Sequence, residues 1–135
     1  PAWMQLRGNT GPYLQYTAAR FASILRKCEE EGKVPNKSDL VRVVAALENP
    51  LERAMIMRMD RYLIVVQIAA DELRPNLLCN YLYHLAQDAN RFFQNCTVKG
   101  SEGDLLQARL LLVQKTLETL TAGLGLLGIP VPSRM

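Results

Sequence analysis

From Leu106 to Leu127 an apolar residue returns at alternating steps of four and three: Leu106, Leu110, Val113, Leu117, Leu120, Leu124 and Leu127. Side chains at that rhythm fall on one side of an α-helix at every turn. The segment therefore predicts a long helix, about Asp104 to Leu127, whose continuous stripe must be buried. A seven-residue apolar repeat also suits a dimeric coiled coil. Other segments of this chain carry matching stripes, however, and that favours a bundle closed within one chain.

Four further helices are expected. Thr10 can cap, and Pro12 can occupy the first turn of, a helix running to about Glu31, with Leu14, Ala18, Phe21, Leu25 and Cys28 on its apolar side. Gly32, Pro35 and Asn36 supply its stop. Ser38 can cap a short helix through Leu47, which ends before Asn49-Pro50 because the residue preceding a proline is pushed out of helical geometry. A third helix, about Leu51 to Leu73, aligns Met55, Met59, Tyr62, Val66, Ala69 and Leu73, until Arg74-Pro75 interrupts it. The fourth, about Asn76 to Asn95, buries Leu78, Leu82, Leu85, Ala89 and Phe92, and a loop from Lys99 to Gly103 leads into the last. No alternating run with hairpin turns competes, so the fold class is all-α: a bundle of about five helices in one domain, residues 1–135. Two prolines, Pro130 and Pro132, keep the C-terminal tail extended.

Apolar residues are 49% of the chain and charged ones 21%, a globular composition, and no uncharged stretch approaches the roughly 18 to 20 residues of a bilayer span. We expect a soluble, cytoplasmic protein with no membrane partner. A net charge of +3 is compatible with an anionic partner without requiring one. Cys28, Cys79 and Cys96 are odd in number and include no CxxC pair, which suits reduced thiols, and with His84 as the lone histidine a zinc site lacks ligands. No metal is expected. The sequons at Asn36 and Asn95 matter only in a secreted protein, and the N-terminus does not read as a signal peptide.

Gly123, Gly125 and Gly128 spell GxGxxG, but at the end of a helix. The dinucleotide fingerprint needs those glycines between a strand and a helix N-terminus, where free N–H groups meet a pyrophosphate. Close packing and a helix stop account for them. No Ser-His-Asp, Cys-His or paired-carboxylate arrangement is recognisable, so no catalytic residue is assigned. Two helical faces carry more. On the first helix Tyr13, Tyr16, Arg20, Ser23 and Lys27 flank the core stripe, putting rings and cations in one line that suits single-stranded RNA. On the fourth, Tyr83, Ala86, Asn90 and Phe93 form a row beside the buried stripe. Phe93 stands about 100° around the helix from Phe92, so one of the two rings should be partly exposed. Spacing alone leaves open whether these aromatics bind a ligand or only widen the core.

Three blocks carry a family resemblance. GNTGPYLQYTAAR (Gly8 to Arg20) resembles the opening of the C-terminal helical domain of arginyl-tRNA synthetases. LRPNLLCNYLYHLAQDANRFFQNC (Leu73 to Cys96) is similar to that family's L-x-P, YLY-x-LA and aromatic pair before a cysteine, and GLGLLGIPVPSRM to its closing GL-x-LLGI and terminal Arg-Met. The blocks stand in order and reach the last residue.

The resemblance implies a DALR-type anticodon-binding domain of a class I synthetase. Its parent enzyme would attach arginine to tRNA-Arg using ATP with magnesium; this chain would hold no cofactor of its own. The implied partners are the anticodon stem-loop of tRNA-Arg and a catalytic domain elsewhere in the same polypeptide, and the expected state is a monomer. Cytoplasmic location is expected, with an organellar form as the alternative. Carried over residue by residue, the RNA-binding positions are Tyr13, Tyr16, Arg20, Tyr83, Asn90, Phe93, Arg134 and Met135. Every arginine codon has G in the middle, so the middle anticodon base is C, the natural one to read. Phe93 stands where the family usually has tyrosine, removing a hydroxyl, and Ser133 where glutamate is common. HIGH and KMSKS-like nucleotide motifs are absent, so the chain alone should not activate arginine. Rival readings are the related domain of another class I synthetase, against which the terminal Arg-Met argues, and a helical protein-interaction module that binds no RNA.

Overall fold

The structure, a computed structural model, describes residues 2–37, 39–98 and 100–132, with side chains from residue 10 onward. The described residues form helices and connecting turns, in the order α1 (Ala2–Glu30), α2 (Leu40–Val44), α3 (Pro50–Asp60), α4 (Tyr62–Asp71), α5 (Pro75–Asn95) and α6 (Gly103–Leu126). The three long helices α1, α5 and α6 pack mutually, while α3 and α4 lie against α5 and α2 against α6.

The apolar stripes do what their spacing implies. Leu14, Ala18, Phe21 and Cys28 of α1, Leu78, Leu82, Leu85, Ala89 and Phe92 of α5, and Leu106, Leu110, Val113, Leu120 and Leu124 of α6 are all buried. They make two clusters along the bundle. Phe21, Phe92 and Leu110 anchor the first with Met55, and Leu14, Leu82, Leu85 and Leu120 the second, while Met59 and Leu117 touch both. Fully burying a side chain of this size is worth about 1.5–3 kcal/mol. Helix α6 comes very close to α5 at Gly123, where an added Cβ would stand 2.6 Å from a methyl of Leu82. At Gly123 the glycine pattern is thus a packing notch, while nothing crowds Gly125. The pattern's last member, Gly128, takes φ +73° just past the helix, where Ile129 N–H bonds to Leu124 O at 2.9 Å and Gly128 N–H to Gly125 O at 3.1 Å. Those paired bonds close the helix end, with glycine at the position that demands a left-handed backbone.

Several expected boundaries move. Helix α1 begins at Ala2 rather than near Thr10, and Pro12 lies inside it. No strong breaker precedes Gly8, so helical geometry extends upstream, and Pro12 forgoes one backbone hydrogen bond instead of opening the helix. Thr10 is not a cap; it is buried within the helix. Helix α2 shrinks to five residues and starts after Asp39, whose left-handed backbone (φ 57°) offers no side-chain cap; Ser38, the expected cap, lies outside the described residues.

The helix expected over Leu51 to Leu73 is broken at Arg61 into α3 and α4. The cause comes from another helix: the Tyr81 hydroxyl of α5 donates to Arg58 O at 2.6 Å, and Arg61 N–H bonds to the same carbonyl at 3.1 Å. A side chain that claims a carbonyl in the ladder kinks the helix there. At the far end Leu73 does not continue the stripe. Its φ is 52°, its side chain is 87% exposed, and Arg74 N–H bonds to Ala69 O at 2.8 Å, so Leu73 terminates α4 in the place glycine usually takes.

One charged pair is built into the interior. Asn49 caps α3 by accepting from Leu51 N–H at 2.9 Å, and Glu52 reaches back to accept from Asn49 N–H at 3.0 Å. The other Glu52 oxygen accepts from Arg109 Nε of α6 at 2.7 Å, although Glu52 is only 1% exposed. Arg109 Nη1 then donates to Thr97 O at 2.7 Å, fixing the segment between α5 and α6.

Candidate functional site

The seam between α1 and α5 collects the aromatic and cationic residues singled out in sequence. Asn90 stands at its centre. Its amide nitrogen donates to Tyr13 Oη at 2.9 Å and to Thr17 Oγ1 at 3.0 Å, and its carbonyl oxygen accepts from Arg20 Nη1 at 3.2 Å. Thr17 in turn donates to Tyr13 O at 2.9 Å. Both ends of one amide are thereby committed, which fixes its orientation and, through it, the rings and guanidinium around it.

Arg20 lies over Phe93, its guanidinium carbon 3.5 Å from the ring centroid. A cation over a ring face is attracted by the ring quadrupole, and the contact leaves the edge N–H groups of the guanidinium for other acceptors. Tyr13 and Tyr83 meet with centroids 5.6 Å apart, tilted by 56°. Phe92 is fully buried while its neighbour Phe93 is half-buried, the division that a 100° offset requires. Tyr16, one turn after Tyr13, is 51% exposed. The hydroxyl of Tyr13 is thus occupied within the seam, while Tyr16 offers a free ring face to solvent.

Beside this stack a groove of about 620 Å³ runs down the outer side of α1, from Tyr16, Arg20 and Phe93 to Arg26, Lys27 and the Cys96–Val98 segment. Its described lining holds three cations and no carboxylate. Among the described residues none of those cations is held in an ion pair. Cys96 also lines it; burial pushes its thiol up and Glu52 adds to the shift, against the pull of Arg109, so the thiol stays neutral around pH 7. A groove with ring faces and cations that are unpaired among the described residues can bind a flat, anionic chain.

The structure thus brings Tyr13, Arg20, Tyr83, Asn90 and Phe93 into one network, with Tyr16 on its rim. Arg134 and Met135 lie outside the described residues. The chain leading toward them is anchored: Ile129 and Val131 pack on the core, and Gln15 Nε2 donates to Pro130 O at 2.8 Å. Sequence reasoning had placed Ser23 and Lys27 on this face but missed Thr17, Gln15 and, lower in the groove, Ile24, Arg26, Thr97 and Val98. Thr17 had a signal, since it lies one turn from Tyr13 on the flank that carries Arg20. Gln15 had none, because its partner is a backbone carbonyl 115 residues away.

Similarity to known proteins agrees with this geometry. Residues 14–135 match the DALR anticodon binding domain. An arginine–tRNA ligase of Cutibacterium acnes is 38% identical over 98% of this chain and 25% of its own length, and one of Rippkaea orientalis 40% identical over 98% and 22%. Among solved structures, an arginyl-tRNA synthetase of Thermus thermophilus superposes with a TM-score of 0.79 at 35% identity, covering 92% of this chain and 21% of that one. The chain therefore spans between a fifth and a quarter of the length of the relatives it matches. It belongs to the DALR anticodon binding domain family, in the form carried by arginine–tRNA ligases.

Proposed function

We propose that the α1–α5 seam grips the anticodon loop of tRNA-Arg on behalf of a longer arginine–tRNA ligase, in which ATP, magnesium and arginine are handled by parts this chain does not span. The observation that carries this reading is the network around Asn90, which holds Arg20 over Phe93 beside a cationic groove. Unpaired loop bases stack on rings and guanidinium planes, and phosphates seek unpaired cations. Tyr16 and Phe93 supply ring faces, Arg20 a charged plane, and Tyr13, Tyr83 and Asn90 hold the set in place. Phe93 keeps the stacking surface of the family's usual tyrosine without its hydroxyl.

Arg134 and Met135 complete the pocket for the middle C in this reading. The five steps from Pro130 to Met135 reach at most about 17 Å when extended, enough to pass from Gln15 along α1 to the level of Arg20. The chain acts as one domain and as a monomer, and alone forms no aminoacyl-adenylate.

The test is titration of the chain with a tRNA-Arg anticodon stem-loop at two salt concentrations. Wild type should bind, with affinity falling as salt rises, and Arg20→Ala should bind more weakly with a salt slope flatter by about one phosphate contact. Unchanged affinity and slope in a folded variant would remove Arg20 from the interface; failure of the wild type to bind would leave a protein-facing patch as the better account.

A further inference from the structure

The groove beside Arg20 has two unlike walls. One is helical, made by α1 and by Phe93 of α5, and the ladders of those helices and the core beneath them hold it. The other is Cys96, Thr97 and Val98, which follow α5 and belong to no helix. Cys96 and Val98 are packed in the core, 4% and 5% exposed, while Thr97 between them is exposed. A backbone outside any ladder keeps its place through individual bonds. Val98 O accepts from the Ser101 hydroxyl at 2.6 Å, but Ser101 belongs to the same loop and would travel with it. The Thr97 carbonyl is tied elsewhere: Arg109 Nη1 reaches it from α6, 12 residues on, at 2.7 Å.

Arg109 is itself held. Its side chain is 13% exposed and its Nε donates at 2.7 Å to Glu52, whose other oxygen accepts from Asn49 N–H at the start of α3. A guanidinium is one rigid plane with donors at set angles, so anchoring Nε on a buried carboxylate also aims Nη1. Resting on the RNA-binding reading above, we propose that Glu52 and Arg109 are positioning residues for that site. Neither touches the RNA. Through the Thr97 carbonyl they hold the non-helical wall of the groove at the separation from α1 at which the loop binds. The cap of α3 is thereby tied to a surface formed by α1 and α5. Without the tie the wall has to be ordered at the moment of binding, and that ordering weakens affinity.

The experiment titrates two variants of the chain with a tRNA-Arg anticodon stem-loop at two salt concentrations, well below their unfolding transitions. Arg109→Lys keeps a cation for Glu52 but loses the fork that reaches Thr97. Glu52→Gln with Arg109→Met removes both charges together, so no buried charge is left unpaired. Both should bind the loop about twofold to tenfold more weakly, the range of one intramolecular hydrogen bond. Their salt slopes should match wild type, because no phosphate contact is lost. Peptide-resolved alkylation reads the wall without RNA: Cys96, buried beside Thr97, should be labelled faster in both variants than in wild type. Wild-type affinity in both folded variants, or an unchanged Cys96 labelling rate, would overturn the positioning role while the Arg20 and Phe93 site stands. A salt slope flattened by about one contact in the double variant would overturn it too, by making Arg109 a direct phosphate ligand. Failure of wild type to bind would remove the RNA-binding reading, and this role with it.

Discussion

Arg109 and Arg20 are each held by hydrogen bonds to another helix, yet they keep opposite company. Arg109 meets a carboxylate that is itself 1% exposed, and its other nitrogen ends on the carbonyl of Thr97, so its charge is spent inside the protein. Arg20 meets a neutral amide and a ring, and among the described residues no carboxylate offsets it. The difference separates two uses of one side chain. A guanidinium paired to a buried carboxylate specifies where helices sit; one propped by Asn90 and Phe93 keeps its charge for an anion from outside.

The strongest challenge to this contrast is Glu52→Ala. It strips Arg109 of its counter-charge and α3 of its capping box at once, so it should cost about 3–5 kcal/mol and lower Tm by on the order of 10 °C or more, measured by urea and thermal unfolding. Arg20→Ala should barely move either transition. Similar unfolding losses in both variants would mean that Arg20 is as structural as Arg109 and would dissolve the distinction.

Phe93→Ala sharpens the other side. The ring is half-buried and shared between the core and Arg20, so truncation should weaken stem-loop binding by about 1–3 kcal/mol with a smaller loss of stability. Binding isotherms beside unfolding curves separate the two. A stability loss with unchanged binding would make Phe93 a core residue whose exposure has no use.

Most of the bundle is legible in sequence because a stripe is a local property. Leu78, Leu82, Leu85 and Phe92 need no knowledge of their partners to be placed on one side of a helix, and the offset between Phe92 and Phe93 is likewise fixed by helix geometry alone. What escapes is whatever a distant residue decides. The break at Arg61 is made by a hydroxyl 23 residues beyond Arg58, and Leu73 leaves its stripe because α4 ends there in a left-handed turn. Glu52 had a partial signal in the Asn49-Pro50-Leu51-Glu52 capping pattern, but its burial depends on Arg109, 57 residues on. The site divides the same way: Tyr13, Arg20, Asn90 and Phe93 can be named from two helical faces, while their union through one amide is a tertiary fact.

Arg58 stands between the two extremes, and it supplies the smallest expected effect. It is ion-paired to Asp88 at 2.5 Å but its side chain is 36% exposed, and its backbone carbonyl takes the Tyr81 hydroxyl. Burial pushes that hydroxyl up to about 12, with the Arg58 charge pulling it down more weakly. An unfolded tyrosine ionises near pH 10, so between about pH 10 and pH 12 the unfolded chain sheds a proton that the folded chain keeps. Stability from this group is complete below pH 10 and is lost as pH rises through the folded value. Tyr81→Phe removes the group and the hydrogen bond together. At neutral pH it should cost about 1 kcal/mol, because Arg58 O retains the bond from Arg61. Above pH 10 it should lose stability less steeply than wild type, with a residual slope from Tyr62, whose hydroxyl is also raised by burial. Urea unfolding at pH 7, 10 and 11 reads both effects. Parallel pH dependence in the two proteins would show that the Tyr81 hydroxyl is not sequestered by α3, and the kink at Arg61 would then need a cause within its own helix.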